Sequence, residues 1–392
     1  MATSNKMDIS QSLIEFSEKL YAKILEKAKS HSENTFLSPF NVYTSLGMIL
    51  SGSAMNTKDE IVKTMQLSEC LENDKFHGEI GKLLSDFSKP GGVEIKFGNG
   101  IFFSDNVISI KERFRFNLMT YYNASTERLA FQTDKESACK RINQWVSKQT
   151  CGKIQQLVSS QSLTEDTSML MLATTYYKGV WKSAFPEHNS YIKEFHGLDM
   201  SKMEVKYMFI ESSFDLVSLP LLKSRAIKIP FKDPNFLLLV ILPDAHNGLP
   251  DLLKSLSKDK GLSSILLSKF ENIELHLHLP KFKLKEGNAI SLTDYLKELG
   301  MKKAFCPATA NFSNISDLDH FCISNILHKA ILEVDEHGVV AAAATAIEVV
   351  TFSAALNEKP KIEFRVDHPF FISILWKDSI PIFLGHVTTP MD

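Results

Sequence analysis

The sequence predicts an α+β fold built as one domain across residues 1–392, and three observations predict it. Helix-period and strand-like segments both occur, but they do not alternate regularly, which argues against a doubly wound parallel sheet. Several strand-like runs are apolar throughout, as central strands covered on both faces would be. No internal repeat and no long Pro/Gly/Ser linker divides the chain, so one large domain is expected although length alone would suggest two or three.

The first helix is expected from about Ser10 to Ala28, where Leu13, Phe16, Leu20, Ile24 and Leu25 recur at helical spacing. Ser12 with Glu15 gives a capping-box pattern near its start. Further helices are expected at Val42 to Leu50, Asp59 to Met65, Asp134 to Gln149 and Ser291 to Leu299, the last followed by Gly300 as a stop signal. Strand-like runs lie at Ile101 to Phe103, Met169 to Tyr177, Phe236 to Leu242, Ile273 to Leu279, Phe364 to Val366, Phe370 to Trp376 and Ile380 to Val387.

Composition narrows the function. With 44% hydrophobic and 23% charged residues the chain is an ordinary globular sequence. A net charge of −2 argues against a nucleic-acid partner, which would call for a basic face. Lys281, Lys283 and Lys285 alternate as a solvated strand face would. The longest apolar run, Phe236 to Leu242, falls far short of the roughly 20 residues that cross a bilayer, so no membrane partner is expected. The first residues lead into a polar, amphipathic stretch without the apolar core of a signal peptide. The cysteines, Cys70, Cys139, Cys151, Cys306 and Cys322, are odd in number and scattered, which fits reduced thiols in a reducing compartment. The expectation is a cytoplasmic protein, or an extracellular one exported without a classical signal peptide. Three glycosylation-type triplets, beginning at Asn123, Asn311 and Asn314, weigh lightly against the first, since serine-rich sequence produces them by chance.

Catalytic signatures are missing. There is no GxSxG, HExxH or P-loop, and Gly98-Asn-Gly100 lacks the third glycine of a dinucleotide fingerprint. His276 and His278 alternate on one strand, yet no carboxylate or cysteine stands nearby in sequence at ligand spacing, and zinc needs at least three protein ligands. They read as packing residues. No enzyme activity, cofactor or metal is expected, and nothing supports a Cys/His hydrolase assembled from distant residues.

The informative stretch runs from Ile331 to Pro360. It begins as a strand, meets Glu336 and Gly338, and enters a run of small residues, Ala341, Ala342, Ala343 and Ala344, before Phe352-Ser353 and a polar exit. No proline occurs between Gly338 and Lys359, so every backbone N–H can donate, as the centre of a sheet requires. As a strand, it would put Val339, Ala341 and Ala343 on one face and Val340, Ala342 and Ala344 on the other. Small side chains on both faces let a strand slide between two others at little steric cost. Alanine also has the highest helix propensity, so an ordinary alanine-rich helix is the competing reading. A segment with both options is a two-state element.

The flanking sequence separates the two. Glu336-His-Gly338 followed by the alanines resembles the reactive-loop hinge of the serpins. So do Asn34-Thr-Phe-Leu-Ser-Pro39, Lys178-Gly-Val-Trp181 and His328-Lys-Ala330, while Phe364-Arg-Val-Asp-His-Pro-Phe370 and Phe383-Leu-Gly385 resemble that family's closing strands. The motifs stand in family order over nearly the whole chain, and the polar start and scattered cysteines are similar to its intracellular, ovalbumin-like branch.

The resemblance implies three β-sheets, eight or nine helices and an exposed reactive loop at about residues 336–359. It implies a monomeric inhibitor of a serine protease, which is trapped as a covalent acyl complex when the cut loop inserts into the main sheet. Placed on the family's hinge, the cut falls between Phe352 and Ser353, which implies a chymotrypsin-like target; a shifted bond would offer Val349 or Val350 to an elastase. Ser38 and His328 would lie beneath the sheet where strands part, and Trp181 near where the loop first inserts. Each has a plainer reading: Ser38 as a helix cap, His328 as a satisfied core histidine, Trp181 as packing. The chain departs from the family at Val339 and Val340, where a small hydroxyl residue and then an acidic one are usual, and at Ala173, where an asparagine is usual. These departures bear on the speed of insertion, and a non-inhibitory serpin (chaperone, storage or binding protein) is the alternative they favour.

Overall fold

The computed structural model of the protein describes residues 9–28, 32–67, 73–89, 91–107, 109–164, 166–258, 260–285, 289–318, 321–337 and 361–390. The helices among them are α1 (Ile9–Lys27), α2 (Pro39–Gly52), α3 (Met55–Thr64), α4 (Asn73–Phe87), α5 (Glu112–Tyr122), α6 (Lys135–Gln149), α7 (Leu249–Leu256), α8 (Gly261–Leu266) and α9 (Thr293–Glu298). The shorter strands are β1 (Thr35–Leu37), β3 (Ser125–Leu129), β5 (Tyr191–His196), β10 (Phe282–Lys285), β11 (Ile290–Ser291) and β13 (Ile362–Arg365). The longer ones are β2 (Val93–Ser104), β4 (Met169–Gly179), β6 (Lys202–Leu219), β7 (Ser224–Pro230), β8 (Phe236–Pro243), β9 (Glu271–Pro280), β12 (Asn325–Val334), β14 (Phe370–Trp376) and β15 (Ile380–Val387).

The α+β class expected from sequence is what these elements form. Every expected helix and strand is present; most ends shift by a few residues, and the strand expected at Ile101 to Phe103 begins at Val93, eight residues earlier. At the start of α1 the capping-box expectation fails. The helix is already under way at Ile9, and Ser12 is turned inward, donating to the Met65 carbonyl at 2.7 Å and sharing a hydrogen bond with the Tyr43 hydroxyl at 2.8 Å. Gly300 does end α9, in a left-handed conformation (φ +114°) that a side chain would strain.

Helices α4, α5, α7 and α8 were not legible in the sequence. In α5 the reason is plain: Phe116 and Met119 point to solvent while Phe114 and Leu118 are buried, so apolar residues ring the helix and blur its period.

Two hydrogen-bonded sheets result. One runs β10-β12-β4-β2-β3, with β11 also on β12; the other runs β1-β15-β14-β8-β7-β6-β9-β13, with β5 also on β6. Three separate sheets were expected, and among the described residues the second and third are one. The cause is β6, whose 18 residues pair with β5 over Lys202–Tyr207, with β9 over Tyr207–Leu216 and with β7 over Asp215–Leu219. One continuous strand carries the ladder through.

Strand β4 is buried along almost its whole length because both faces are covered. Met169, Met171 and Tyr177 join the main core between the sheets. Leu170, Leu172 and Tyr176 pack outward under Ile142 and Val146 of α6, together with Leu327 and Ile331 of β12. Each such burial is worth about 1.5–3 kcal/mol, so the six-stranded sheet is held from both sides.

Candidate functional site

The site is the seam between β12 and β4. These strands are parallel neighbours over eight residue pairs, from Asn325↔Leu170 to Leu332↔Tyr177. Above Leu332 the pairing ends, while β12 continues through Glu333 and Val334 to Asp335, Glu336 and His337.

Beneath the seam, α2 presents its N-terminus. Ser38 is the N-cap, its hydroxyl accepting from the Asn41 amide at 3.3 Å with Pro39 in the first turn. The same hydroxyl donates to the Ile382 carbonyl at 2.8 Å, and the Ser38 backbone N–H donates to His328 Nε2 at 2.9 Å. His328 Nδ1 in turn donates to the Ala173 carbonyl at 2.8 Å, across the seam. Because Nε2 accepts and Nδ1 donates, the ring is neutral, and complete burial pushes its pKa down to about 4. Ser38 is therefore a helix cap and also His328's partner, and His328 is a satisfied core histidine that also bridges the strands. Asn41 Nδ2 adds a bond to the Thr174 carbonyl at 2.9 Å.

Three buried oxygens here, Asn41 Oδ1, Thr175 Oγ1 and Tyr177 Oη, lack a hydrogen-bond partner among the described residues. Each such group costs about 1–3 kcal/mol.

At the top of the seam, Trp181 is buried. It stacks on Phe231 (centroids 4.6 Å apart, 8° between planes), and its Nε1 donates to the Asp335 carbonyl at 2.8 Å. The next residue, Glu336, is also buried. Its carboxylate meets Lys206 Nζ at 2.7 Å, Lys281 Nζ at 3.3 Å and the Ser190 hydroxyl at 3.0 Å, and its carbonyl accepts from the Phe185 amide at 3.0 Å. Burial alone would raise the Glu336 pKa; the bonds from Lys206, its own amide and Ser190, with the charge of Lys281, hold it instead at about 2. Lys281 and Lys283 are half-buried on the outer face, alternating with buried Phe282 and Leu284 as expected, and both are ion-paired: Lys283 pairs with Glu333, which Lys153 also reaches at 3.3 Å. The lysine alternation was visible in sequence, but Glu333 and Glu336 lie some fifty residues away along the chain, and only the β10–β12 pairing brings them alongside.

Of the other residues singled out from sequence, Gly338, Val339, Val340, Ala341, Ala342, Ala343 and Ala344 lie outside the described residues, as do Val349, Val350, Phe352 and Ser353. The pair His276 and His278, preceded at the same alternation by Glu274, also acquires a carboxylate from a strand remote in sequence. Glu363 of β13 accepts from His276 Nδ1 at 2.7 Å and lies 2.8 Å from His278 Nε2, because parallel pairing sets it opposite His276.

A family model described as Serpin (serine protease inhibitor) matches residues 11–390. The chain is a serpin. As a member of a family of protease inhibitors it is not an enzyme. This serpin is 30% identical to serpin B4 of Homo sapiens over 377 residues, covering 92% of this chain and 95% of that protein. It is 28% identical to serpin B10 of Homo sapiens over 403 residues, covering 97% and 99% of the two chains. Among solved structures, Serpin48, described as a highly specific serpin of the insect Tenebrio molitor, superposes with a TM-score of 0.87 at 29% identity, each chain covered in full. The serpin thus stands close to the intracellular, ovalbumin-like branch that its sequence resembles. No helix among its described residues is long and apolar enough to cross a membrane, and the described cysteines Cys139, Cys151, Cys306 and Cys322 are free thiols.

Proposed function

We propose that this serpin, acting as a single domain and a monomer, traps a serine protease of chymotrypsin-like specificity by offering the Phe352–Ser353 bond as bait. The protease serine attacks the Phe352 carbonyl, Ser353 leaves as a new amino terminus, and an ester joins Phe352 to the protease. The freed segment from Gly338 through the alanines then enters the six-stranded sheet between β12 and β4, and the tethered protease is distorted before water hydrolyses the ester. Ser38, His328 and Trp181 guard the seam that must open, and Glu336 is the fixed end of the hinge.

The observation that carries this reading is the parallel β12–β4 pair with β12 leading directly into the bait segment. A strand folding back from the end of β12 into that seam runs antiparallel to both neighbours. It replaces one parallel ladder with two antiparallel ones, and antiparallel pairing is the more stable per residue.

Phe352 would fill the primary pocket of the protease, worth about 1.5–3 kcal/mol. Incubation with chymotrypsin followed by denaturing electrophoresis tests the proposal. The expected product is a covalent complex and a released fragment beginning at Ser353, with Phe352→Ala slowing inhibition by about tenfold or more. Clean cleavage without a complex would instead favour the second reading, a non-inhibitory chaperone, storage or binding protein, in which Val339 and Val340 slow insertion. A fragment beginning after Val349 or Val350 would shift the bait towards elastases. No nucleic-acid, membrane or cofactor role is proposed, and the working location is the cytoplasm, or the extracellular space by a route without a classical signal peptide.

A further inference from the structure

Far from the β12–β4 seam, three residues remote in sequence converge. His196 ends β5, His246 lies in the turn between β8 and α7, and Asp367 lies in the connector from β13 to β14. One donor atom from each can be chosen so that all three lie within 4.8 Å of one another, and all three residues are half-buried. We propose that His196, His246 and Asp367 form a binding site for a late first-row divalent cation, zinc foremost.

The donor set carries the choice of ion. Two imidazole nitrogens and one carboxylate oxygen suit zinc and its neighbours, which take three protein ligands and leave a fourth position for water. Calcium and magnesium ask for a shell made almost wholly of oxygens. Metal–donor bonds of about 2.0–2.2 Å place tetrahedral ligands about 3.4 Å apart, so closure requires the group to contract by up to about 1.4 Å. That is within reach of side-chain rotation in three half-exposed residues.

The surroundings orient the donors as an outer shell would. The His196 backbone amide donates to the Asp367 carbonyl at 2.8 Å, which fixes the end of β5 against the connector. His196 Nδ1 lies 3.4 Å from the same carbonyl; donating there, it leaves the Nε2 lone pair for a metal. Asp367 Oδ1 is 2.8 Å from His368 Nδ1, and His368 is anchored by its Nε2 to the Pro243 carbonyl at 2.7 Å, so the second carboxylate oxygen is left to ligate. The His246 ring stacks on His196 at 4.4 Å (22°) and on His368 at 4.9 Å (39°). A carbonyl behind His196 and an anchored histidine behind Asp367 are outer-shell partners of the kind that orient ligands in protein metal sites, while His246 is held by ring stacking.

An ion here would tie β13, which among the described residues is an edge strand paired only with β9, to β5 and to the turn before α7. It would stabilise the native chain in proportion to the logarithm of free ion over Kd.

The full chain, treated with EDTA and desalted, is titrated with Co²⁺ and then with Zn²⁺ as competitor, and its melting temperature is followed. The expected result is one Co²⁺ per chain with tetrahedral d–d bands and no thiolate charge-transfer absorption, displacement by Zn²⁺, and a raised Tm. His246→Ala and Asp367→Asn should each weaken binding by more than about tenfold, beyond the lower end of outer-shell effects, and abolish the Tm rise, with Cys151→Ser unchanged. Wild-type binding by folded His246→Ala, loss of binding in Cys151→Ser or His276→Asn, or no stoichiometric binding would overturn the proposal. X-ray absorption of the metal-loaded wild type decides the matter if the variants do not fold: imidazole scattering supports the site and a sulfur shell overturns it.

Discussion

His328 joins α2 to both strands of the seam through a ring that must stay neutral to accept from the Ser38 amide. Its pKa of about 4 in the native state lies below the ordinary value of about 6.5. The unfolded chain therefore binds the extra proton first, and native stability falls as pH drops from about 6.5 towards 4, levelling off below. Between pH 7.5 and pH 5 this single group should remove about 2 kcal/mol. Urea unfolding at the two pH values, compared with His328→Gln, measures it. A variant that keeps the full pH dependence of the wild type would show that the destabilisation originates elsewhere. Glu336 has the same sense in a lower window, with its stabilisation present above the ordinary carboxylate range and lost only as pH falls towards 2. Mild acid should therefore loosen the middle of the seam while the clamp at its top still holds.

Strand β12 was legible at its C-terminal half, from Ile331 onward, because β-branched and apolar residues precede an acidic turn. What it pairs with was not legible. Its parallel partner β4 lies some 155 residues earlier, and the register that sets His328 opposite Ala173 is a property of the assembled sheet. At Ala173, where the resemblance implies an asparagine, it is the backbone carbonyl that receives the histidine. If the bait segment becomes the strand between these two, Val339 takes a buried position. Val339→Arg would place a charge there at a cost of several kcal/mol. The loop should still be cut by chymotrypsin, but the covalent complex on denaturing gels should fall to a trace. An undiminished complex would mean that this part of the loop does not enter the sheet with Val339 facing inward.

At the scale of the molecule, an inhibitor of this kind is a protein held by kinetics above a more stable arrangement. Cleavage within the loop by a protease that is not trapped should then raise the melting temperature. Eight added residues at about 0.5–1.5 kcal/mol net per hydrogen bond correspond to about 10 °C or more for a chain this size. Scanning calorimetry of intact and nicked protein reads the difference directly, and an unchanged Tm would leave the non-inhibitory reading in place. The union of two expected sheets through β6 belongs to this scale too: strain at the Glu336 clamp, which Lys206 of β6 completes, is borne by the same strand that continues into the core.

Sequence alone determined the α+β class, five of the helices and the long apolar strands, because periodicity and turn residues are properties of a short window. Family motifs in their order extended that to the whole chain. Tertiary structure decided which groups meet: Glu336 with Lys206 and Lys281, Ser38 with His328, Glu363 with two histidines, and His196 with His246 and Asp367. Those meetings depend on strand order and register between segments up to about three hundred residues apart. No local pattern encodes that, since a strand of given alternation presents the same face whichever neighbour it finds.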